Sequence, residues 1–325
     1  MDIDLLLKAI GFLSQVIIGI PGNMFILLQF TILRITEKKL LPNNLLLMVL
    51  ALVNLLVILS RIIPQSLNAL GVENLLDDTE CKFVIFTYRV NRAMSICVTS
   101  LLSCYQCIVI APNTKFWVYL KQQITKNIVT IIFVFWIINF SIYPYSILNA
   151  RARRNLTTSP YTLHLVYCDA DFLTYMAYIV NGTCYALRDF IFVGLMALAS
   201  GYIVFTLLKH ERSVKGIRSS DRLKQRSVEY RASKAVILLV ALYVLLYGLD
   251  NSMWIYTLTL SNVSPDMNEI RIFLASSYSS LSPIVIIFTN PKLQQNVLFC
   301  KKGGIFSRNL PDSNGKKKTV YTINK

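Results

Sequence analysis

Seven apolar runs, each close to the thickness of a lipid bilayer, leave this chain very little choice of fold. They span residues 5–33, 45–63, 83–110, 128–147, 175–208, 235–260 and 270–288. A hydrocarbon core of about 30 Å takes roughly 20 helical residues at about 1.5 Å each. In lipid only helices and closed barrels satisfy every backbone hydrogen bond, and long runs without period-2 alternation are helices. The expected fold is an all-α membrane protein, one seven-transmembrane helix bundle over 1–300. Residues 301–325 are polar and contain glycine, the composition of a disordered tail.

The connectors alternate in charge, and this predicts orientation. Arg34, Lys38 and Lys39 follow the first run, and Lys115, Lys121 and Lys126 follow the third. The connector over 209–234 and the tail are dense in Lys and Arg. The opposite connectors hold only Lys82, Arg151, Arg153, Arg154 and Arg271, and the one after the second run is acidic overall, with Glu73, Asp77, Asp78 and Glu80. Positive loops stay cytoplasmic, so the N-terminus is expected outside and the C-terminus inside. Met1–Lys8 lacks the basic region of a cleaved signal, so the first helix is expected to act as a signal anchor. The net charge of +16 then describes a face beside anionic membrane lipid. Its division among loops argues against nucleic acid as a partner.

Topology sorts the seven cysteines. Cys81 tops the third run and Cys168 lies in the connector after the fourth, both in an oxidising compartment, so a bridge between them is chemically reasonable. Cys97, Cys104, Cys107 and Cys184 fall in helices, where a thiol is usually a small apolar group. Cys300 is juxtamembrane, a position open to palmitoylation. With only His164 and His210, no Cys/His spacing makes a metal site, and nothing calls for a cofactor. Of the sequons, Asn155-Leu156-Thr157 stands clear of the membrane and is the expected glycosylation site. Asn181 is close to the fifth helix, Asn262 precedes a disfavouring Pro265, and Asn139 lies inside a helix.

The candidate chemistry lies in the outer half of the bundle. Arg89 and Arg92, three apart, share a helix face about 60° wide beside Tyr88. They lie about 12–16 Å down the helix from Cys81. A charge at such depth costs about 2.5–3.5 kcal/mol on the lenient insertion scale, so it must face the bundle interior or a wet cavity. Arg188, Asp189 and Asp250 sit at comparable depth, and Arg61 is near the outer end of the second helix. Arg89 or Arg92 paired with Asp189 or Asp250 makes either an internal salt-bridge network or, since cations outnumber acids, an anion-binding site. Tyr88, Tyr247, Trp254 and Tyr278 are candidate pocket walls, because ligand cavities are mostly apolar with a few polar anchors. Asn54 and Ser282 are expected to join helices two and seven in an inner polar cluster.

Several motifs resemble the rhodopsin-like G-protein-coupled receptors. Gly22-Asn23 stands in helix one, Leu50-Ala51-Leu52-Val53-Asn54 in helix two and Trp136 in helix four. The departures are specific. Cys104-Tyr105-Gln106 replaces Asp-Arg-Tyr, Tyr247 takes the place of the helix-six Trp, and Ser282-Pro283 replaces Asn-Pro. Together with Ser60-Arg61-Ile62-Ile63-Pro64-Gln65, Tyr88-Arg89-Val90-Asn91-Arg92 and Tyr230-Arg231-Ala232, they resemble the vomeronasal type 1 receptors, including fish olfactory class A-related members. Bitter-taste-type receptors also lack Asp-Arg-Tyr but do not typically show the Cys81/Cys168 arrangement.

The resemblance implies a chemosensory receptor with a small organic ligand in the outer half and a heterotrimeric G protein inside. Segments 105–121 and 209–234 are the implied contacts for the G protein. Tyr88 stands where amine-binding relatives place Asp, so an acidic or neutral ligand is expected. A small-solute transporter is the alternative class. Gly19-Ile20-Pro21-Gly22 reads as an interruption of helix one, but no second half repeats it. No paired aspartates or nucleophile motif marks an enzyme.

Overall fold

The computed structural model describes residues 3–38, 40–72, 75–112, 114–152, 162–164, 167–171, 173–214, 220–258, 265–290 and 293–294. Its helices are α1 (Ile3–Glu37), α2 (Pro42–Val57), α3 (Ile63–Ala69), α4 (Asp78–Ile110) and α5 (Lys115–Ile142). They continue with α6 (Pro144–Leu148), α7 (Tyr175–Val214), α8 (Ser220–Leu258) and α9 (Pro265–Thr289). Seven stretches within these are long and apolar enough to cross a membrane, α2 and α3 together making the second. The tail 301–325, Asn155 and Cys300 lie outside the described residues.

Helix α4 is the axis. It packs against α2, α5, α7 and α8, while α1 closes the ring against α2 and α9. In its most apolar stretch 78% of residues are buried, against 17% for α5, which turns most of its surface outward to lipid. Val90, Met94, Ile96 and Leu102 carry α4 into a core with Ile26, Leu46, Leu50, Met196 and Leu239. Its start is fixed by a capping box: the Glu80 amide donates to Asp77 Oδ1 (2.7 Å) and the Asp77 amide to Glu80 Oε2 (3.0 Å). Those bonds satisfy two of the amides that a helix start leaves open.

Prolines shape the rest, in ways the apolar runs alone misread. Helix α1 runs unbroken through Pro21, so Gly19-Ile20-Pro21-Gly22 is no interruption. The glycines instead let other helices approach. A Cβ on Gly19 would stand 2.5 Å from Ile58 Cδ1, and one on Gly22 would stand 2.8 Å from Pro283 Cβ. Pro283 lies inside α9 and, lacking N–H, leaves the Ser279 carbonyl without its helical donor. Asn23, wholly buried, supplies one from α1, its Nδ2 donating to Ser279 O at 3.0 Å and to Gly19 O at 2.8 Å. Helix α2 passes through a π-helical turn, Ile58–Ile62, where Ile63 N–H bonds to Ile58 O. Pro64 follows directly, and the wide turn takes up the residue that the proline cannot hydrogen-bond normally. The fourth run, read as 128–147, starts earlier, at Lys115, and breaks at Tyr143 before Pro144, where the pre-proline residue leaves helical geometry. The basic connector 209–234 is mostly helix, since α7 reaches Val214 and α8 begins at Ser220.

The expected disulfide is present. Cys81 at the start of α4 bonds Cys168, with their Cα atoms 5.9 Å apart. Cys168 opens β3 (Cys168–Asp171), the middle strand between β1 (Ala150–Ala152) and β2 (Thr162–His164). Both pairings are antiparallel. Strands of three or four residues are too short to read from pattern alone. The bridge holds this sheet over the end of the bundle, with Cys81, Ile85, Ala150, Tyr167 and Cys168 forming a small core.

The Asn54–Ser282 cluster also forms. Asn54 Nδ2 donates to Ser282 Oγ (2.9 Å), and its Oδ1 accepts from Ser95 Oγ (2.8 Å), tying α2, α4 and α9.

Replacing Asn23 with Leu should orphan the Ser279 carbonyl, and Gly22→Val should push α1 off α9. Each is expected to cost about 1–3 kcal/mol, read as a lower thermal unfolding midpoint in detergent. Non-reducing peptide mapping should recover Cys81 and Cys168 in one linked pair, and Cys168→Ser should loosen the sheet while leaving α4 helical.

Candidate functional site

Two ion clusters lie inside the bundle towards its disulfide end. In the first, Arg92 on α4 donates through Nη2 to Asp250 Oδ2 on α8 at 2.8 Å. Its Nη1 donates to the hydroxyl of Tyr88, one turn back on α4, at 3.0 Å. The other oxygen of Asp250 stands 3.8 Å from Nε of Arg271 on α9. In the second, Arg188 donates through Nε (2.8 Å) and Nη2 (2.5 Å) to Asp189 Oδ1, both on α7. Its Nη1 reaches the Tyr143 hydroxyl, and Asn139 Oδ1 at 3.4 Å.

Tyr247 joins the two. Its hydroxyl donates to Asp189 Oδ2 at 2.8 Å, while the Arg92 guanidinium lies 5.8 Å from its ring centre. Beside it is a cavity of about 20 Å³, walled by Arg92, Ser95, Tyr243, Tyr247, Tyr278 and neighbouring α8 and α9 residues. That is room for about one water molecule, far short of the roughly 300 Å³ or more of a ligand pocket. An organic ligand therefore enters only by displacing the tyrosines or by moving α8 and α9. Tyr278 closes the floor, edge-on to Tyr243 at 4.8 Å and hydrogen-bonded to Thr99 at 3.1 Å.

Most of the residues expected at the site converge here, with corrections. Tyr88, Arg92, Tyr247, Asp250, Asp189 and Tyr278 are joined by contact. Arg92 pairs with Asp250, one of the pairings expected. Asp189, however, is held by its own neighbour Arg188 and by Tyr247, not by Arg89 or Arg92. Arg89 turns towards α7, its guanidinium 5.7 Å from the Tyr185 ring, apart from the cavity wall. The side chain of Trp254 lies outside the described residues. Arg271, counted above among connector charges, belongs to α9 and faces Asp250.

Three members were not singled out from sequence. Tyr143 and Tyr243 carried no signal beyond being aromatic residues in apolar runs. Tyr167, next to Cys168, is buried beneath the sheet, where its hydroxyl accepts from Arg61 Nη1 at 3.4 Å. Burial raises the pKa of that phenol, with Arg61 pulling the other way, so it keeps its proton at neutral pH.

At the opposite end, Cys104-Tyr105-Gln106 closes α4. Buried Gln106 donates through Nε2 to Asn43 Oδ1 at 2.6 Å, tying α4 to the first turn of α2 with a neutral bond.

Comparison with known proteins agrees with this architecture. The model of the vomeronasal organ pheromone receptor family matches residues 7–299. Olfactory receptor class A-like protein 1 of Danio rerio is 38% identical over 92% of this chain and 94% of its own length. Vomeronasal type-1 receptor 3 of Homo sapiens is 31% identical over 86% of this chain and 90% of its own. The fold is similar to that of squid rhodopsin, with a TM-score of 0.69 at 16% identity, covering 91% of this chain and 84% of that one. A receptor rather than a transporter or an enzyme accounts for all of these matches. The chain belongs to the vomeronasal organ pheromone receptor family, and is a multi-pass plasma-membrane chemosensory receptor with the rhodopsin-like fold.

Proposed function

We propose that this receptor binds a small, largely apolar molecule carrying an acidic or neutral polar group, and answers by activating a heterotrimeric G protein. The observation that carries the reading is the cavity walled by Arg92 of the first ion cluster and by Tyr247, whose hydroxyl binds Asp189 of the second. In this reading the N-terminus and the disulfide-linked sheet face outward, and the basic ends of α7 and α8 face the cytoplasm beside anionic lipid. The charge pattern of the connectors supports that orientation.

Tyr247 is the mechanical link. A ligand that enlarges the cavity displaces its ring, and with it the hydrogen bond to Asp189 that holds α8 to α7. Helix α8 is 39 residues long, about 58 Å at 1.5 Å per residue, so a tilt at one end moves the other. At that other end no Asp-Arg pair locks α4. Release there means breaking the Gln106–Asn43 bond. Ligand and G protein then favour the same minor state of a two-state bundle.

An acid, an alcohol and an amine built on one apolar scaffold should activate in that order, measured as a calcium response through a promiscuous G protein. Like charges 4 Å apart repel by about 4 kcal/mol at an effective dielectric of 20, so the amine should be at least about tenfold weaker than the acid. Potent activation by the amine alone, lost on Asp250→Asn, would reverse the assignment. The Arg92–Asp250 pair should show coupling of its own. Arg92→Asp or Asp250→Arg alone is expected to cost about 3 kcal/mol and most of the response. The double swap should recover both thermal stability and signal, at equal surface expression.

A further inference from the structure

Arg61 sits in the π-helical turn of the second span, and 97% of its surface is buried. Its guanidinium lies 5.1 Å from the ring centre of Tyr88 and 5.7 Å from that of Tyr167. Its guanidinium thus meets two aromatic rings. Its one hydrogen-bond acceptor among the described residues is the Tyr167 hydroxyl, and Nε has none. No carboxylate stands within ion-pair distance of it among the described residues. The same excess recurs across Tyr88. Arg271 has its own buried Nε without a hydrogen bond, 3.8 Å from an Asp250 oxygen, while Asp250 already binds Arg92. Tyr88 thus joins Arg61, which meets its ring, to Arg92, which meets its hydroxyl, and the carboxylate nearby, Asp250, faces Arg92 and Arg271.

A buried, always-charged guanidinium with an open N–H group is stabilised by negative charge placed beside it, and its planar edge matches a carboxylate or a halide. Tyr167 adds a donor, because its hydroxyl accepts from Arg61 and keeps its own proton for another acceptor. We propose that Arg61 and Arg271, with Tyr88 and Tyr167, form an anion subsite directly beneath the disulfide-linked sheet. Its occupant is a small monovalent anion, either the carboxylate of the receptor's ligand or a free ion such as chloride. In the first case the subsite deepens the ligand reading above, and in the second it stands independently of that reading. The π turn is what builds it: one extra residue before Pro64 carries Arg61 inward to the rings of Tyr88 and Tyr167. Because Tyr167 neighbours Cys168, filling the subsite also fastens the sheet to α2 and α4.

The full-length receptor in phosphatidylcholine nanodiscs, free of anionic lipid and G protein, provides the test. Its thermal unfolding midpoint is followed while sodium chloride, sodium benzoate or benzyl alcohol is titrated against sodium gluconate at constant ionic strength. A saturable rise with chloride assigns the subsite to a free ion. A rise with benzoate but not with chloride or benzyl alcohol assigns it to a ligand carboxylate. In either case Arg61→Gln and Arg271→Gln should each raise the half-saturating concentration at least about tenfold, the worth of one charge-assisted hydrogen bond. Should a neutral variant not fold, Arg61→Lys, which keeps the charge but loses the planar edge, should still weaken the response. The proposal is overturned if neither anion shifts the wild-type midpoint saturably, or if the shift is the same in the Arg61 variants. Such a failure leaves the receptor reading intact, since no signalling is measured, and a silent calcium assay leaves the subsite intact.

Discussion

Lipid cannot hydrogen-bond, and that single deficiency governs how this bundle is put together. Every polar group that enters the hydrocarbon must find its partner inside the protein. Pro283 removes one amide from α9, and Asn23 reaches across from α1 to bind the carbonyl left open. The two helices come near enough for this because Gly22 presents no side chain to Pro283. One proline, one asparagine and one glycine thus make a single joint, in which each residue type has a separate chemical reason. Asn54, bonded to Ser282 and Ser95, repeats the principle between α2, α4 and α9.

The same deficiency explains why the charges gather where they do. Arginine stays charged in any setting a protein offers, so each intramembrane guanidinium needs acceptors or a π face. Arg188 takes Asp189, Tyr143 and Asn139, and Arg92 takes Asp250, Tyr88 and the Tyr247 ring. Tyrosine is the recurrent partner because it supplies both a face and a hydroxyl. Tyr247 belongs to both clusters, so one side chain couples α4, α7 and α8 beside the cavity.

At the two ends the chain solves opposite problems. A disulfide and a three-stranded sheet fix the end nearest the ion clusters, clamping Cys168 to the start of α4. The far end of α4 carries the neutral Gln106–Asn43 bond to α2. A covalent tie thus stands at one end of α4 and a neutral hydrogen bond at the other.

Sequence alone determined the seven spans, the Cys81–Cys168 pair and the family, and it narrowed the ion pairs to a few that include Arg92–Asp250. Hydrophobic length, a limiting supply of acids and unusual motifs are all written locally in the chain. It also marked Asn54 and Ser282, because polar residues in apolar runs stand out. Only the tertiary structure decided that Gly19-Ile20-Pro21-Gly22 is a packing face rather than a break. Composition cannot tell a residue that disrupts a helix from one that admits a neighbour. Tertiary structure likewise gave Asp189 to Arg188, turned Arg89 towards Tyr185 and moved Arg271 from connector to interior. Side-chain direction depends on which helix lies opposite, and helical periodicity fixes a face without naming what it meets. The π turn that carries Arg61 inward is the clearest case: Pro64 marks where the backbone bonding must change, but only the fold shows that the change is a wide turn and which charge it buries.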